Sequence, residues 1–284
     1  MTVDIPRLPD LILEPLVRNA LFEDLGQYGD VTTRAVIPAS VQYEARINAR
    51  EAGVVSGMQI AEIAFRLVDP ALQIRTVLRD GQPCNPGDAL MEINGSAASI
   101  LSAERVALNF AGRLTGIATL TSKFAAQTAG TKTRVTCTRK TTPGLRIVEK
   151  QAVLHGGGYN HRYSLSDAIM IKDNHIAAAG GIAAVLNAAR ASASHMMRVE
   201  IEVDTLEQLS EVLETVGADV VLFDNMDTDT LREAVGMTAG RMITEASGNM
   251  KLDRIAEVCT TGVDYISSGA LTHSAQTLDL GLDF

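Results

Sequence analysis

Basic residues are concentrated in one stretch of an otherwise acidic chain. Residues 132–175 carry eight lysines and arginines against three acids, although the 284-residue chain has a formal net charge of −9. Turn formers interrupt the cations at residues 141–144 and 156–158. Cations grouped where the backbone can bend indicate a pocket for a small polyanion, and a basic surface patch is the alternative. The cations are Lys132, Arg134, Arg139, Lys140, Arg146, Lys150, Arg162 and Lys172.

Carboxylates form the second chemical group. In residues 199–204, apolar residues alternate with Glu200, Glu202 and Asp204, which a strand would place on one side. If the apolar side packs on helices, the acids point inward and must face cations, a metal or water, because an unpaired buried carboxylate is costly. An edge strand with a solvated acidic face is the alternative. Asp224 ends a neighbouring apolar strand, so two strand ends could hold a Mg²⁺–phosphate substrate or stabilise a developing positive charge.

Small residues follow the last two predicted strands. The backbone N–H groups of such turns can bind a phosphate, as in the last loops of many barrels. The two candidate phosphate turns are Ser247-Gly248-Asn249 and Ser268-Gly269-Ala270.

The elements that must position these residues alternate between strand and helix after residue 132. Such alternation predicts parallel βαβ units, and six strands are too few for a regular eight-stranded barrel. We therefore predict an open, reduced α/β barrel whose site lies at the carboxyl ends of the strands. The predicted strands are 133–138, 168–172, 198–204, 219–224, 241–246 and 263–268, and the predicted helices are 147–154, 182–190, 205–215, 228–235 and 251–259.

The part of the chain before residue 132 has a different pattern of predicted elements. Apolar spacing predicts helices at 10–25 and 58–68 and a long helix from Ser102, on which Gly112 and Gly116 are expected to allow close packing. Strand-like runs lie at 43–47 and 72–77, and a segment rich in turn formers, 80–88, ends this half.

Composition excludes several classes of protein. The 46 % hydrophobic and 21 % charged fractions are those of an ordinary soluble enzyme. The start, 1–6, lacks the features of a signal peptide, and no apolar run approaches the roughly 20 residues of a membrane span. A pI near 5.1 argues against nucleic acid as the main partner. Three widely spaced cysteines, Cys84, Cys137 and Cys259, favour a reduced cytoplasmic protein, with Cys137 in a packing role.

Several sequence blocks, taken in order, resemble the quinolinate phosphoribosyltransferases, also called nicotinate-nucleotide pyrophosphorylases (carboxylating). Three of these blocks are Thr138-Arg139-Lys140-Thr141-Thr142-Pro143-Gly144-Leu145-Arg146, Gly156-Gly157-Gly158-Tyr159-Asn160-His161-Arg162 and Ile171-Lys172-Asp173-Asn174-His175. Similar blocks occur along the whole chain, among them Ala103-Glu104-Arg105, Glu200-Ile201-Glu202-Val203-Asp204, Asp224-Asn225-Met226 and Glu245-Ala246-Ser247-Gly248-Asn249.

The resemblance implies a reaction and a fold. Quinolinate and 5-phosphoribosyl-1-diphosphate would give nicotinate mononucleotide, diphosphate and CO₂, with Mg²⁺, in de novo NAD biosynthesis. The implied fold is α/β of the type II phosphoribosyltransferase kind. An N-terminal α/β sandwich domain (1–113, completed by 271–284) would precede an open α/β barrel (114–270) that carries the site. A homodimer, or an assembly of dimers, is implied as well.

The resemblance also assigns roles residue by residue. Lys140, Lys172, Glu202 and Asp224 are the implied catalytic residues, and Glu202 and Asp224 would contact the metal through water. The quinolinate carboxylates would be held by Arg139, His161 and Arg162, together with Arg105 donated by the neighbouring subunit. Thr138, Ser247, Gly248, Asn249, Ser268, Gly269 and Ala270 complete the implied substrate-binding set.

Two departures and three alternatives accompany this resemblance. Cys137 stands where an Asp is frequent and Asn249 where a Gly is frequent, and Asn tolerates the left-handed backbone region nearly as well. The alternatives are a related phosphoribosyltransferase associated with molybdenum-transport operons, a phosphoribosyltransferase for nicotinate itself, and a non-catalytic phosphosugar-binding homologue. The surplus of arginines and the presence of Lys140, Glu202 and Asp224 favour the quinolinate enzyme.

Overall fold

The computed structural model of the chain describes residues 5–284. Residues 1–4, part of the start interpreted above as lacking a signal peptide, lie outside the described residues. The first elements in chain order are α1 Asp10–Leu25, α2 Val31–Val36, β1 Gln42–Ala49, β2 Gly53–Val54, α3 Met58–Val68, β3 Gln73–Thr76, β4 Pro83–Cys84, β5 Ala89–Ser96 and α4 Ala97–Gln127.

The remaining elements alternate between strand and helix for most of their length. They are β6 Arg134–Thr136, α5 Arg146–His155, β7 Ile169–Ile171, α6 Asp173–Ala179, α7 Ile182–Ser192, β8 Val199–Val203, α8 Leu206–Thr215, β9 Val220–Asp224, α9 Thr228–Thr238, β10 Ile243–Ser247, α10 Leu252–Cys259, β11 Tyr265–Ser267, α11 Ala270–His273 and β12 Leu280–Asp283.

The chain forms two compact units, each built from more than one segment of the sequence. The first unit contains the residues up to Ser122 together with Thr142–Gly157 and Ser274–Phe284, and the second contains Lys123–Thr141 and Gly158–His273. The predicted division of the chain into domains at residues 113 and 114 stays a prediction.

A four-stranded antiparallel sheet organises the first unit, in the order β12-β1-β5-β3. Helix α3 buries one continuous face, which includes Met58, Ile60 and Phe65, because its apolar residues recur at helical spacing. Helix α2 begins at Asp30, whose side chain accepts a hydrogen bond of 2.9 Å from the backbone N–H of Thr33.

A buried ion pair fixes α5 within the first unit. The Glu149 side chain is fully buried and accepts hydrogen bonds from the Arg113 guanidinium at 2.9 and 3.1 Å. The same carboxylate accepts the Thr142 hydroxyl at 2.7 Å and the Thr142 backbone N–H at 3.1 Å. These contacts offset the desolvation of the carboxylate and tie the turn before α5 to the helix.

The second unit is built on a six-stranded parallel sheet in the order β6-β11-β10-β9-β8-β7. Its end strands β6 and β7 do not pair with each other among the described residues. A parallel bridge from Thr136 to Tyr159 extends the sheet edge at β6. The predicted α/β fold, with an N-terminal unit and an open barrel-like unit of six parallel strands, is confirmed.

Differences from the predicted elements concern short or irregular segments. Helix α4 begins at Ala97 instead of Ser102, directly after β5. Strand β5 itself was not predicted, because its core-facing residues follow a turn-rich segment and end in Asn94-Gly95-Ser96. The sequence interpretation also omitted α2, α6, α11, β2, β4 and β12, which contain between two and seven residues each. No described helix combines the length and apolar character that a membrane span requires.

Close packing explains the two glycines of α4. A Cβ atom at Gly116 would lie 1.9 Å from the backbone oxygen of Gln276, and one at Gly112 would lie 2.9 Å from that of Leu278. The Leu278 N–H donates a 3.0 Å hydrogen bond to the Gly112 carbonyl. The segment before β12 therefore lies directly on the helix backbone, as the spacing of the glycines indicates.

We predict that Gly116→Ala lowers the free energy of unfolding by about 1–3 kcal/mol, because the added methyl group overlaps main-chain atoms that cannot rotate away. Gly236→Ala on α9 is the control: its added Cβ has open space, so higher helix propensity should stabilise the chain by up to about 1 kcal/mol. Urea unfolding monitored by circular dichroism would compare the two. Equal midpoints for both variants would contradict the packing argument.

Candidate active site

A cavity of about 600 Å³ opens at the carboxyl ends of the parallel strands of the second unit. It is lined by Thr138, Arg139, Lys140, His161, Arg162, Met170, Lys172, Glu202, Leu222, Asp224, Asn225, Glu245, Ser247, Gly248 and Asn249. Of the residues predicted for the site, only Arg105, Ser268, Gly269 and Ala270 are not among these lining residues.

Strand register explains why the carboxylates meet. Glu202 on β8, Leu222 on β9 and Glu245 on β10 are register partners in adjacent strands. Two residues further along β9 and β10, Asp224 is the register partner of Ser247. Side chains two residues apart share a face, so the inward set contains Glu200 as well as Glu202, and the predicted inward orientation is confirmed for these two acids. It is wrong for Asp204, which is exposed because β8 ends at Val203.

The cationic wall of the cavity follows β6 and precedes β7. The backbone N–H of Lys140 donates to the Thr138 hydroxyl at 3.0 Å, and the Lys140 carbonyl accepts the Thr272 hydroxyl at 2.7 Å. Arg162 donates to the Ala168 carbonyl at 2.9 Å. Burial, and after it the neighbouring charge of Arg139, lowers the pKa of the Arg162 guanidinium, while Glu200 opposes that shift. Two like charges held together this way form a receptor for a dianion.

Lys172 faces Glu202 across the cavity. Its ammonium group forms an ion pair and a hydrogen bond with the Glu202 carboxylate. The backbone N–H of Lys172 donates to Nδ1 of His175 at 2.9 Å, which orders the turn into α6. His175 therefore orients this loop.

The first candidate phosphate turn has a constrained backbone. Gly248 has φ +86°, and a Cβ there would lie 2.2 Å from Oδ1 of Asn225. Asn249 also has positive φ, at 49°, so the tolerance expected of Asn in the left-handed region is used here. Asn225 joins the turn to β9: its N–H donates to the Ser247 carbonyl at 3.1 Å, and its amide donates to Asp224 at 2.7 Å.

The second candidate turn lies beneath Lys140. The Ser268 side chain is buried and donates to the Met250 carbonyl at 2.8 Å. A Cβ at Gly269 would lie 2.9 Å from Cδ of Lys140, so this glycine leaves space for the lysine stem. Ala270 begins α11.

Buried acids form the floor of the site. Nε2 of His161 lies 3.0 Å from Glu200 and 3.8 Å from Glu245, and each side chain is no more than 14 % exposed. Burial, and next the charge of Glu200, raises the pKa of Glu245 to about 7, and His161 partly opposes this. Sequence reasoning did not select Glu245 for the site. The period of two in β10, which puts Glu245 on the face of Ser247, is the signal that could have found it.

Two groups of side chains contain atoms of the kinds that bind metal ions. Glu202 and Asp224 offer carboxylate oxygens inside the cavity, and His161, Glu200 and Glu245 form a buried cluster whose candidate ligand atoms lie within 4.8 Å of one another. The second group does not fit an ion, because Nδ1 of His161 accepts the Arg162 backbone N–H at 2.8 Å, so Nε2 must carry the ring proton.

Cys137 and Arg105 lie outside the cavity lining. Cys137 is fully buried beside the site and its Sγ donates to Oδ1 of Asn160 at 3.1 Å, which fits a packing role. Arg105 is exposed on α4, among the residues of the first unit. Its role across a subunit interface stays a prediction.

Comparison with known proteins gives concordant matches along the chain. Residues 30–115 match the family description "Quinolinate phosphoribosyl transferase, N-terminal domain", and residues 117–283 match the corresponding C-terminal domain. A curated relative from Bacillus subtilis, "Probable nicotinate-nucleotide pyrophosphorylase [carboxylating]", is 43 % identical over 96 % of this chain and 93 % of its own length. An Arabidopsis thaliana relative, "Nicotinate-nucleotide pyrophosphorylase [carboxylating], chloroplastic", is 42 % identical over 99 % of this chain and 85 % of its own.

Solved structures agree with the sequence matches. The nicotinate-nucleotide pyrophosphorylase from Francisella tularensis superposes with a TM-score of 0.93 at 37 % identity and covers 100 % of this chain and 99 % of its own. NadC from Streptococcus pyogenes superposes with a TM-score of 0.94 at 39 % identity, covering 98 % of both chains. The chain belongs to the quinolinate phosphoribosyltransferase family.

Proposed function

We propose that the chain transfers a phosphoribosyl group from 5-phosphoribosyl-1-diphosphate to quinolinate, with loss of CO₂. The products are nicotinate mononucleotide and diphosphate, and the reaction serves NAD biosynthesis. The observation that carries the proposal is one cavity that places Arg139 and Arg162 together with Glu202 and Asp224. A dianion and a developing cation can be stabilised there side by side. Family membership and the printed names of the relatives support the same reaction.

The arginines recognise the acceptor. Quinolinate carries two adjacent carboxylates, and planar guanidinium groups bind carboxylates through paired hydrogen bonds. Nicotinate, with one carboxylate, would form charge-assisted hydrogen bonds with fewer of the donors that the two closely spaced cations, Arg139 and Arg162, offer to a dianion. The partial burial of Arg162 strengthens this discrimination because charge-assisted bonds weaken less when water is excluded.

Carboxylates and lysines stabilise opposite charges that develop during the transfer step. As the bond from the anomeric carbon to diphosphate lengthens, positive charge grows on the ribose, and Glu202 and Asp224 stabilise it. Lys140 and Lys172 neutralise negative charge on the leaving diphosphate. Once the pyridine nitrogen is bonded to ribose it is positively charged, so it stabilises the electron pair left on the ring carbon when the neighbouring carboxylate departs as CO₂. A proton from water then bonds to that carbon and completes nicotinate mononucleotide. This order requires no covalent bond to the protein.

Mg²⁺ is the proposed cofactor. Glu202 and Asp224 offer the hard oxygen ligands that Mg²⁺ prefers, and the engagement of Glu202 with Lys172 fits contact through water. When bound, the ion supplies charge neutralisation for the diphosphate. The 5′-phosphate is assigned to the turns at residues 247–249 and 268–270, where small residues would allow a phosphate to approach the backbone closely.

The proposed assembly is a homodimer, or a set of dimers, in which Arg105 reaches the quinolinate of the partner subunit. The exposure of Arg105 on α4 supports this placement. The cytoplasm is the proposed location, which three buried cysteines without disulfides support. Nucleic acid and membrane are not proposed as partners.

The function is tested by incubating the purified chain with quinolinate, 5-phosphoribosyl-1-diphosphate and Mg²⁺ and measuring nicotinate mononucleotide and CO₂ in equal amounts. Nicotinate in place of quinolinate is the control and should give little product. Product from nicotinate without CO₂, or none from either acid, would overturn the proposal.

We predict that Arg139→Ala lowers kcat/KM for quinolinate by at least about tenfold, because the bound carboxylate loses charge-assisted hydrogen bonds of roughly 1.5–3 kcal/mol. Steady-state kinetics with each substrate varied in turn would measure it. Arg241→Ala, on the same unit but outside this cavity, is the matched control and should leave kcat/KM unchanged. An unaltered constant for Arg139→Ala would rule out the clamp.

Glu202→Gln and Asp224→Asn should lower turnover more than they weaken quinolinate binding. Each change keeps the side-chain shape and removes the charge that faces the ribose or the metal. Single-turnover rates together with calorimetric titration of quinolinate would separate the two effects. Normal single-turnover rates in both variants would reduce these carboxylates to structural groups.

Mixing inactive Arg105→Ala with inactive Lys140→Ala should restore activity if Arg105 acts across a two-fold interface. Random exchange makes about half of the dimers mixed, and each mixed dimer has one intact site, so roughly a quarter of wild-type sites should return. Exchange is verified by mass spectrometry of differently tagged subunits. No recovery after verified exchange would mean that Arg105 acts within its own chain or not at all.

A further inference from the structure

The cluster of Glu200, Glu245 and His161 lies at the floor of the cavity, and the proposed mechanism does not use its two glutamates. Both are almost fully buried, at 7 % and 6 % side-chain exposure. One oxygen of each, Oε1, is buried without a hydrogen-bond partner among residues 5–284. Buried carboxylate oxygens without partners are costly, so the arrangement requires an explanation.

The tautomer of His161 follows from its contacts. Nδ1 accepts the Arg162 backbone N–H at 2.8 Å, so the ring proton is on Nε2. That Nε2–H points at Glu200, 3.0 Å away, with Glu245 at 3.8 Å. The ring is thus neutral, and both of its nitrogens face protein groups. His161 fixes the backbone at Arg162 from one side and the buried acids from the other.

We propose that Glu245 is a positioning residue for quinolinate: it retains a proton beside Glu200, so that the cluster under Arg139 and Arg162 carries one negative charge instead of two. This inference rests on the proposed function, because it concerns how the same site holds its acceptor. With one negative charge in the cluster instead of two, the acids attract the guanidinium groups less strongly, and the two carboxylates of the substrate compete more effectively for them. A second negative charge would attract Arg162 inward and compete with quinolinate.

The surroundings of Glu245 support a retained proton. Its pKa is raised to about 7, first by burial and next by the charge of Glu200, and His161 and a hydrogen bond with Ser267 oppose the rise. Leu222, its register partner on β9, brings no charge, and Tyr265 is its partner on β11.

Arginine and lysine side chains share the cavity with Glu245. Arg139 and Arg162 are among the lining residues, and Lys172 is engaged with Glu202. Glu200 opposes the lowering of the Arg162 pKa, so the clamp is linked to Glu200, and Glu200 in turn lies beside Glu245 in the cluster.

The charge of the cluster changes with pH. Below pH 7 Glu245 is protonated and the cluster has one negative charge, and above pH 7 it gains a second. A dianionic ligand binds the protonated form more tightly, so KM for quinolinate should rise as pH increases from 6 to 8. We expect a rise of about fivefold over this range if the ligand shifts the pKa of Glu245 by about one unit, with a limit of about tenfold at higher pH. KM for 5-phosphoribosyl-1-diphosphate should change much less.

Glu245→Gln tests the proposal, because the amide imitates the protonated acid at every pH. Its KM for quinolinate should match the wild type at pH 6 and stay within about twofold up to pH 8. Glu200→Gln removes the repelling charge, so the Glu245 transition should move to lower pH. Glu214→Gln, an exposed glutamate on α8, is the matched control and should keep the wild-type profile. A purely structural role would raise KM for Glu245→Gln equally at all pH values.

A measurement independent of activity separates this inference from the proposed function. In ligand-free protein labelled with ¹³C at glutamate carboxyl groups, one resonance should titrate near pH 7 and be missing from Glu245→Gln. Its absence from the wild type, or a wild-type KM profile in Glu245→Gln, would overturn the inference. Equilibrium dialysis with Zn²⁺ alone is the last test, and one tightly bound equivalent lost in Glu245→Gln would also overturn it in favour of a metal site.

Discussion

The cost of placing carboxylates inside a parallel sheet governs the organisation of this site. Strands β8, β9 and β10 turn acidic side chains toward the interior, where an ionised group without a partner loses several kcal/mol of hydration. Three of these acids have a group that offsets the cost: Lys172 for Glu202, His161 for Glu200 and the proposed proton for Glu245. Because Lys172 and His161 come from segments that follow β7 and β6, the open edge strands are as necessary to the site as the central ones.

The same constraint explains the concentration of cations in one stretch of the chain. Residues 139–172 supply the positive charge that the interior acids require, and a surplus remains for an anionic substrate. The remaining positive charge lies near the buried acids and is not fully paired with them. If the acids neutralised all of the cations, no positive charge would remain to bind quinolinate. The glycine and asparagine turn at residues 248–249 completes the site with backbone groups that add no charge.

Sequence alone predicted most of the second unit because parallel βαβ units leave a strong periodic signal. The inward acids of β8 were predicted by a period of two, and family-like blocks identified the arginine and lysine residues. Glu245 was missed because a single acid in a short strand has no pattern of its own, and its burial depends on register with β9. Strands β5 and β12 were missed for a related reason: antiparallel pairing with a distant partner fixes them, which local spacing does not show.

The pairing of β12 with β1 has a consequence for biosynthesis of the chain. Asn48 hydrogen-bonds Asp283, 235 residues later, so the first sheet cannot be completed until the ribosome has translated the whole second unit. Domains generally fold in the order of their synthesis, but here the inserted unit can fold while the surrounding one still exposes an unpaired strand edge. While the second unit is being translated, β1 of the nascent chain therefore has an unpaired edge that other strands can bind. Chaperones that shield such edges should affect the yield of folded protein more than its final stability.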